Sequence, residues 1–148
     1  MMHRKSILRV ISKLLIPFIL LFALYVQWHG DFGPGGGFQA GVIFGAAFVL
    51  YGLIYGVRIA RQVLPSWVTR LVLALGVLLY AGVGVVGMLL GGNFLNYTVL
   101  GSTQTGGQHI GILLVEFGVG MTVATAIITI FFAFAGQEEE EHGAEGDD

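Results

Sequence analysis

A single carboxylate, that of Glu116, lies inside a long apolar stretch of this sequence, and His109 precedes it by seven residues. A carboxylate in hydrocarbon is costly, so it marks either a functional site or a paired group that pins neighbouring helices. On a helix that rises 1.5 Å per residue, the two side chains share one side and lie about 10 Å apart. The spacing predicts either a proton relay or a structural carboxylate near an interfacial histidine.

A second group of residues surrounds three consecutive glycines that lie between two apolar stretches. Its members, in chain order, are His29, Asp31, Pro34, Gly35, Gly36, Gly37, Phe38 and Gln39. Consecutive glycines adopt backbone angles closed to other residues, so their amide groups could bind an anion or their carbonyl groups a cation. The same composition is typical of a tight turn that returns the chain to a membrane. Both interpretations stay open from the residues alone.

The elements that position these residues must be membrane helices, because the composition excludes a water-soluble domain. The chain has 148 residues, of which 55% are hydrophobic and 11% charged, with 24 glycines and no cysteine. Soluble domains carry about 25% charged residues, and disorder requires low hydrophobicity. Without cysteine, the chain has no disulfide and no thiolate ligand for zinc or an iron–sulfur cluster. We expect neither a metal nor a cofactor.

Four apolar segments are long enough to cross about 30 Å of hydrocarbon as helices. They cover residues 7–28, 38–57, 71–90 and 110–135. All seven lysines and arginines fall on one side of this arrangement, before or early in the first segment or between the second and third. The positive-inside rule then places both termini in the cytoplasm. The sequence predicts an all-α integral membrane protein with four transmembrane helices and cytoplasmic N- and C-termini.

Small residues recur at helical spacing in three of the four segments. The second segment carries Gly41, Gly45, Gly52 and Gly56, the third Gly84, Gly87 and Gly91, and the fourth Gly118, Thr122, Thr125 and Thr129. Such stripes let membrane helices approach closely. We expect some of them to contact other chains, with packing inside this chain as the alternative.

The chain is predicted to divide into a transmembrane domain, residues 1–136, and an acidic tail, residues 137–148. Seven of the nine acidic residues lie in that tail. A block of like charge is usually disordered and solvated, although it could also dock a basic partner.

The order His-x-x-x-x-Pro-Gly-Gly-Gly-Phe-Gln-x-Gly, from His29 to Gly41, resembles the MnhB-like domain family, the MnhB subunits of the Mrp-type multisubunit cation/proton antiporters. The likeness extends over residues 7–134 and includes His109 and Glu116 at the head of the fourth segment. The family commonly has aspartate at the position of Glu116, and often a second histidine or a serine at Asp31 and Gly33. These departures concern the polar residues around the three glycines. We call residues 29–39 the glycine segment.

The resemblance implies a non-enzymatic accessory subunit of a Na⁺/H⁺ antiporter in a prokaryotic cell membrane. The subunit would support assembly of the complex, with a role in the ion path as an open question, and Glu116 and His109 are the candidates for that path. Its partners would be the other subunits of a hetero-oligomer and the lipid bilayer, with Na⁺ and H⁺ as transported ions and no nucleic acid. The alternative is the equivalent subunit of a redox-driven complex related to membrane-bound hydrogenase.

Overall fold

The protein is described by a computed structural model that covers residues 2–30, 36–101 and 103–144, with side chains described for 6–30, 36–101 and 103–136. Five helices follow one another along the chain: α1 Met2–Trp28, α2 Gly37–Tyr55, α3 Val57–Val63, α4 Ser66–Leu89 and α5 Gln104–Ala144. A 3₁₀ turn, Tyr97–Leu100, precedes α5. The described residues contain no β-strand.

Four of these helices are long and apolar enough to cross a membrane, which confirms the predicted fold class. The spans are Ser6–Trp28, Gly37–Tyr55, Ser66–Leu89 and Gln104–Gly136. Two of them begin about one and a half turns earlier than predicted, for local reasons. Pro65 is the N-cap of α4, and the Thr103 hydroxyl accepts a hydrogen bond from the Gly106 amide in the first turn of α5, at 3.2 Å. The side of the membrane on which the termini lie stays a prediction.

The helices pack in the spatial order α1, α2, α5, α4, so that α2 and α5 form the centre of the molecule. The end helices α1 and α4 do not pack against each other within the described part of the chain. Both leave large apolar side chains exposed, including Phe18, Trp28, Leu78 and Leu89. In a membrane, these outward faces contact lipid or neighbouring subunits.

The glycine stripe of α2 is used inside the chain, against α5. A β-carbon built onto Gly41 would lie 2.7 Å from the carbonyl oxygen of Gly120, and one on Gly45 would lie 3.2 Å from Ile127. Further along, a β-carbon on Gly52 would lie 2.5 Å from the ring of Phe131. The contact between α4 and α5 is similar, because a β-carbon on Gly76 of α4 would lie 2.8 Å from the carbonyl oxygen of Gly118 in α5. Close backbone approach therefore builds the core of this chain.

Two of the predicted packing glycines have a different place. Gly56 has no atom within 4 Å of where its β-carbon would be, and its φ of 96° breaks the helix between α2 and α3. Gly91, with φ 88°, likewise meets no neighbour and lies just after α4. Since a positive φ strains other residues, these two glycines allow the chain to change direction and do not pack between helices.

The two ends of the bundle differ, and we name them by their residues. The glycine end contains Gly30, Gly36 and Gly37, and the arginine end contains Arg58, Arg61 and Arg70. At the arginine end, Val57, Ala60, Ile128 and Phe132 form a cluster of buried side chains. The short helix α3 contacts α5 at this end, and the Arg61 guanidinium donates a hydrogen bond to the Phe132 carbonyl at 2.6 Å.

The acidic tail begins as helix, because α5 continues beyond the predicted domain end at Gly136 to Ala144. The division of the chain at residue 136 and the disorder of the tail stay predictions. The extension of the helix has a local reason. Glutamate and alanine are good helix formers, and no proline interrupts the run. Residues 145–148 lie outside the described part of the chain.

Candidate functional site: a carboxylate between glycines

The carboxylate of Glu116 lies between the two described ends of the glycine segment. A β-carbon built onto Gly30, or one built onto Gly36, would lie 2.7 Å from Oε1 of Glu116. That separation is too short for a carbon–oxygen contact, so a side chain at either position would make the Glu116 carboxylate move from its place. Gly36 also has a φ of 114°, a conformation that other residues rarely adopt. The sequence of the segment is thus fitted to the acidic side chain opposite it.

The backbone of Glu116 is in contact with the first residue of α2. A β-carbon on Gly37 would overlap the Glu116 carbonyl group, so α2 starts directly against the main chain of α5. The helix is joined to the segment before it by the hydrogen bond from the Ala40 amide to the Gly36 carbonyl, at 3.0 Å. Together these contacts fix the half-buried Glu116 side chain beside the entry of α2.

The structure brings only some of the predicted site residues together. Gly36 and Gly37 meet Glu116, whereas Phe38 and Gln39 have exposed side chains at the start of α2. Asp31, Pro34 and Gly35 lie outside the described residues.

Both candidate histidines have exposed side chains at the glycine end. His29 follows α1, and its ring stacks on that of Tyr25 with centroids 5.0 Å apart. His109 lies in the second turn of α5, seven residues before Glu116. Within the described ranges, no three His, Cys, Asp or Glu residues are grouped so that they could hold a metal ion.

The end of α5 that carries His109 is held by the 3₁₀ turn. A β-carbon on Gly111 would overlap the ring of Tyr97, and one on Gly107 would overlap its carbonyl oxygen. Burial, and to a lesser extent the neighbouring Tyr80, raises the pKa of the Tyr97 phenol above its usual value. The phenol therefore stays protonated at neutral pH, and this turn positions α5 without adding charge.

A cavity of about 400 Å³ opens next to the site, between α1, α2 and α5. It runs from Gln27 and Phe117, near Glu116, to Leu64 at the arginine end, and its lining is almost entirely apolar. We call it the groove. Its volume lies in the range of small-molecule sites in proteins.

Sequence reasoning missed three residues of this region: Gly30, Gly120 and Gln27. The Oε1 atom of Gln27 lies 2.5 Å from where a β-carbon on Gly120 would be. One signal could have identified Gln27, because a side-chain amide inside the apolar run of a first span is unusual. No pattern in the sequence pairs Gly30 or Gly120 with its neighbour, since those contacts join distant parts of the chain.

Comparison with known proteins agrees with the resemblance. Residues 7–129 match the family model described as a domain related to the MnhB subunit of Na⁺/H⁺ antiporter. A Staphylococcus haemolyticus (strain JCSC1435) protein named as antiporter subunit mnhB2 is 32% identical over 139 residues, which are 92% of this chain and 98% of that protein. The protein of the same name from Staphylococcus aureus (strain Newman) has the same identity and coverage. The chain therefore belongs to the family of domains related to the MnhB subunit of Na⁺/H⁺ antiporters.

Proposed function

We propose that this chain is an accessory membrane subunit of a multisubunit Na⁺/H⁺ antiporter and that Glu116 serves its ion path. The family and the names of the relatives support an antiporter subunit, and so a transport protein and not an enzyme. They also favour the antiporter over the redox-driven alternative. Four apolar spans support a multi-pass location in the cell membrane.

The observation that carries the role of Glu116 is the fit of the glycine segment around its carboxylate. Gly30 and Gly36 both approach Oε1 so closely that a side chain at either position would displace the carboxylate. Pure helix packing would be satisfied by an apolar residue, which costs nothing to bury. A carboxylate can take up a proton or donate oxygen ligands to a hard cation such as Na⁺.

The partners of the chain would be the other subunits of the complex. Because the glycine stripe of α2 is used against α5, the surfaces left for assembly are the outward faces of α1 and α4. One intramembrane carboxylate gives no complete route across a membrane. Expressed alone, the chain should therefore move no cations.

Replacement of Glu116 by glutamine tests the role of the carboxylate. Glu116→Gln preserves the shape of the side chain and removes its charge. In the whole complex, the variant should assemble normally and lose at least about tenfold of its Na⁺-dependent proton exchange, measured in everted membrane vesicles. Glu138→Gln, the same change in the acidic tail, is the matched control and should retain full exchange. An assembled Glu116→Gln complex with unchanged exchange and an unchanged pH profile would make Glu116 a structural residue.

A further inference from the structure

The groove lies on a side of the bundle that no helix of the described chain covers. Its two sides come from α1 and α4, with Leu24 on the first and Val72 on the second. These two helices do not pack against each other in the described part of the chain. The α5 residues between them include Gly120 and Ala124, which are small and so deepen the groove. An apolar group in the membrane therefore reaches the groove from between α1 and α4.

The size of the groove fits an acyl chain better than a helix. Along α5 it extends from Phe117 to Ile128, which is about 16 Å at 1.5 Å per residue. With its side chains, a helix is about 10 Å wide, and this length of it would occupy about three times the volume of the groove. A single acyl chain is much thinner. An unfilled groove would deprive its lining of van der Waals contacts, and in a membrane the acyl chains of lipids are available to fill it.

The side of α1 that lines the groove carries two cations nearer the start of the helix. Arg9 precedes the groove residue Gln27 by 18 residues, which are five turns of 3.6 residues, so both lie on one side of α1. Lys13 lies one turn after Arg9 on that side. Between Lys13 and the groove, the same side presents Ile16 and Leu20, which are apolar and half-buried. The groove thus continues along α1 as an apolar strip that ends at two positive charges.

These cations lie at the arginine end of the bundle. Gln27 is level with Gly120, because its Oε1 lies 2.5 Å from where a β-carbon on Gly120 would be. Since α1 ends and α5 begins at the glycine end, the two helices run in opposite directions. Lys13 and Phe134, each 14 residues from this pair, therefore lie at one level, about 21 Å away. That level is about 9 Å beyond Ile128, where the groove ends.

The two cations have no partner among the residues that the structure describes. The side chains of Arg9 and Lys13 are exposed and form no hydrogen bond or ion pair there. Among the described side chains, the one carboxylate is that of Glu116, at the glycine end. Lys13 also lies seven residues inside the apolar span that begins at Ser6. A cation at such a place is stabilised when it reaches the headgroup region and pairs with an anion.

We propose that this side of the bundle binds one anionic phospholipid, with an acyl chain in the groove and the phosphate group at Lys13 and Arg9. The groove alone takes the chain of any lipid, because lipid chains and the lining are equally apolar. The two cations add a preference for a headgroup with net negative charge. Arginine can donate two parallel hydrogen bonds to a phosphate, and lysine contributes a point charge. The bound lipid would connect α1 with α5, which have few direct contacts with each other.

Lipid binding by the purified full chain tests the headgroup contact. The probes are dioleoyl phosphatidylglycerol, which is anionic, and dioleoyl phosphatidylcholine, which has the same acyl chains and no net charge. Native mass spectrometry from non-ionic detergent counts the bound lipids, and the chain should hold one phosphatidylglycerol. The double variant Arg9→Gln, Lys13→Gln should bind phosphatidylglycerol about 30-fold more weakly, about fivefold for each cation, with unchanged binding of phosphatidylcholine.

The matched control removes two other cations of the same end. Arg58→Gln with Arg70→Gln should change the binding of phosphatidylglycerol less than twofold, because neither residue lies on the side of its helix that lines the groove. An equal loss in the two double variants would show that net charge alone attracts the lipid, and would overturn the proposal. Unchanged binding in the Arg9→Gln, Lys13→Gln variant would overturn it as well.

A larger side chain in the groove tests the place of the acyl chain. Leu24→Trp should weaken the binding of both lipids about tenfold, because the indole occupies space that the chain needs. Leu21→Trp is the control and should change neither, since Leu21 is an exposed residue of the same helix that does not line the groove. If Leu24→Trp leaves the binding of phosphatidylglycerol unchanged, the acyl chain does not lie in the groove and the proposal is wrong.

Two other partners for these features give different results. If the acidic tail neutralises the cations of α1, phosphatidylglycerol should bind tightly only after residues 138–141, all glutamate, are replaced by glutamine. If a helix of another subunit covers the groove, the whole complex should hold no phosphatidylglycerol there, and Leu24→Trp should prevent assembly. Either result overturns the proposal. A complex that retains one phosphatidylglycerol and loses it in the Arg9→Gln, Lys13→Gln variant supports it, whether or not Glu116 serves the ion path.

Discussion

The glycine end and the arginine end of the bundle hold the central helix α5 by opposite means. At the glycine end, α2 meets α5 backbone to backbone, and the absence of side chains at Gly30, Gly36 and Gly37 makes room for one carboxylate. At the arginine end, α3 meets α5 through a cluster of side chains, in which Ile128 and Phe132 are almost completely buried. The glycine end depends on the absence of side chains, and the arginine end depends on the packing of side chains.

This difference separates the two tasks of the protein. A contact between side chains tolerates conservative exchange, because neighbouring groups can adjust to a similar volume. A contact between backbones has no such freedom, since a single added carbon must move a whole helix. We infer that the arginine end holds α5 in place, while the glycine end defines the position of Glu116 and tolerates almost no change.

The largest expected effect concerns the side of the membrane on which each end lies. We predict that the glycine end faces outward and the arginine end faces the cytoplasm, because the lysines and arginines lie at the arginine end. Gln104 and Gln62 are exposed residues at opposite ends. In intact cells, a Gln104→Cys variant should react completely with an impermeant thiol reagent, and a Gln62→Cys variant should not. Reaction at position 62 alone would reverse the orientation of both ends.

The next effect tests the rigidity of the glycine end. Gly37→Ala adds a β-carbon that would overlap the Glu116 carbonyl, so α2 must shift away from α5. We expect a loss of at least about 3 kcal/mol of stability, at the upper end of overpacking costs, and poor assembly of the complex. Gly82→Ala, where the added carbon meets nothing, should be neutral or slightly stabilising because alanine favours helix. Thermal unfolding of the detergent-solubilised complex measures both, and equal midpoints would show that the glycine end is adaptable.

The comparison of the two ends also shows what a sequence can predict. Span positions follow from apolar runs of about twenty residues, and all four were predicted to within a few residues except at the starts of α4 and α5. Those starts depend on Pro65 and Thr103, which act as local caps. Glu116 was also accessible as a candidate, because a carboxylate in an apolar run stands out in any sequence.

The partners of these residues could not be predicted, because they arise from the packing order. No local pattern indicates that α2 lies between α1 and α5, or that Gly30 and Gly36 converge on one carboxylate. The stripe from Gly41 to Gly52 was identified as a packing surface, yet spacing alone could not reveal that α5 of the same chain covers it. Gln27 lies next to Gly120 in the folded chain, although the two residues are 93 positions apart in the sequence.

The smallest expected effect tests the arginine end, where the Arg61 side chain of α3 contacts Phe132 of α5. The Arg61 guanidinium donates to the Phe132 carbonyl at 2.6 Å and lies 5.7 Å from the centre of the Phe132 ring. Arg61→Met should cost about 1 kcal/mol, because it removes a hydrogen bond and a cation–π contact at a solvent-exposed position. Arg58→Met, on the same short helix, removes a charge that forms no hydrogen bond with the described residues, and should cost less than about 0.5 kcal/mol. The thermal midpoint of the solubilised complex should fall further for Arg61→Met, while Na⁺-dependent exchange at permissive temperature stays unchanged. Equal midpoints for the two variants would show that side-chain filling alone, and not the Arg61 contact, stabilises this end.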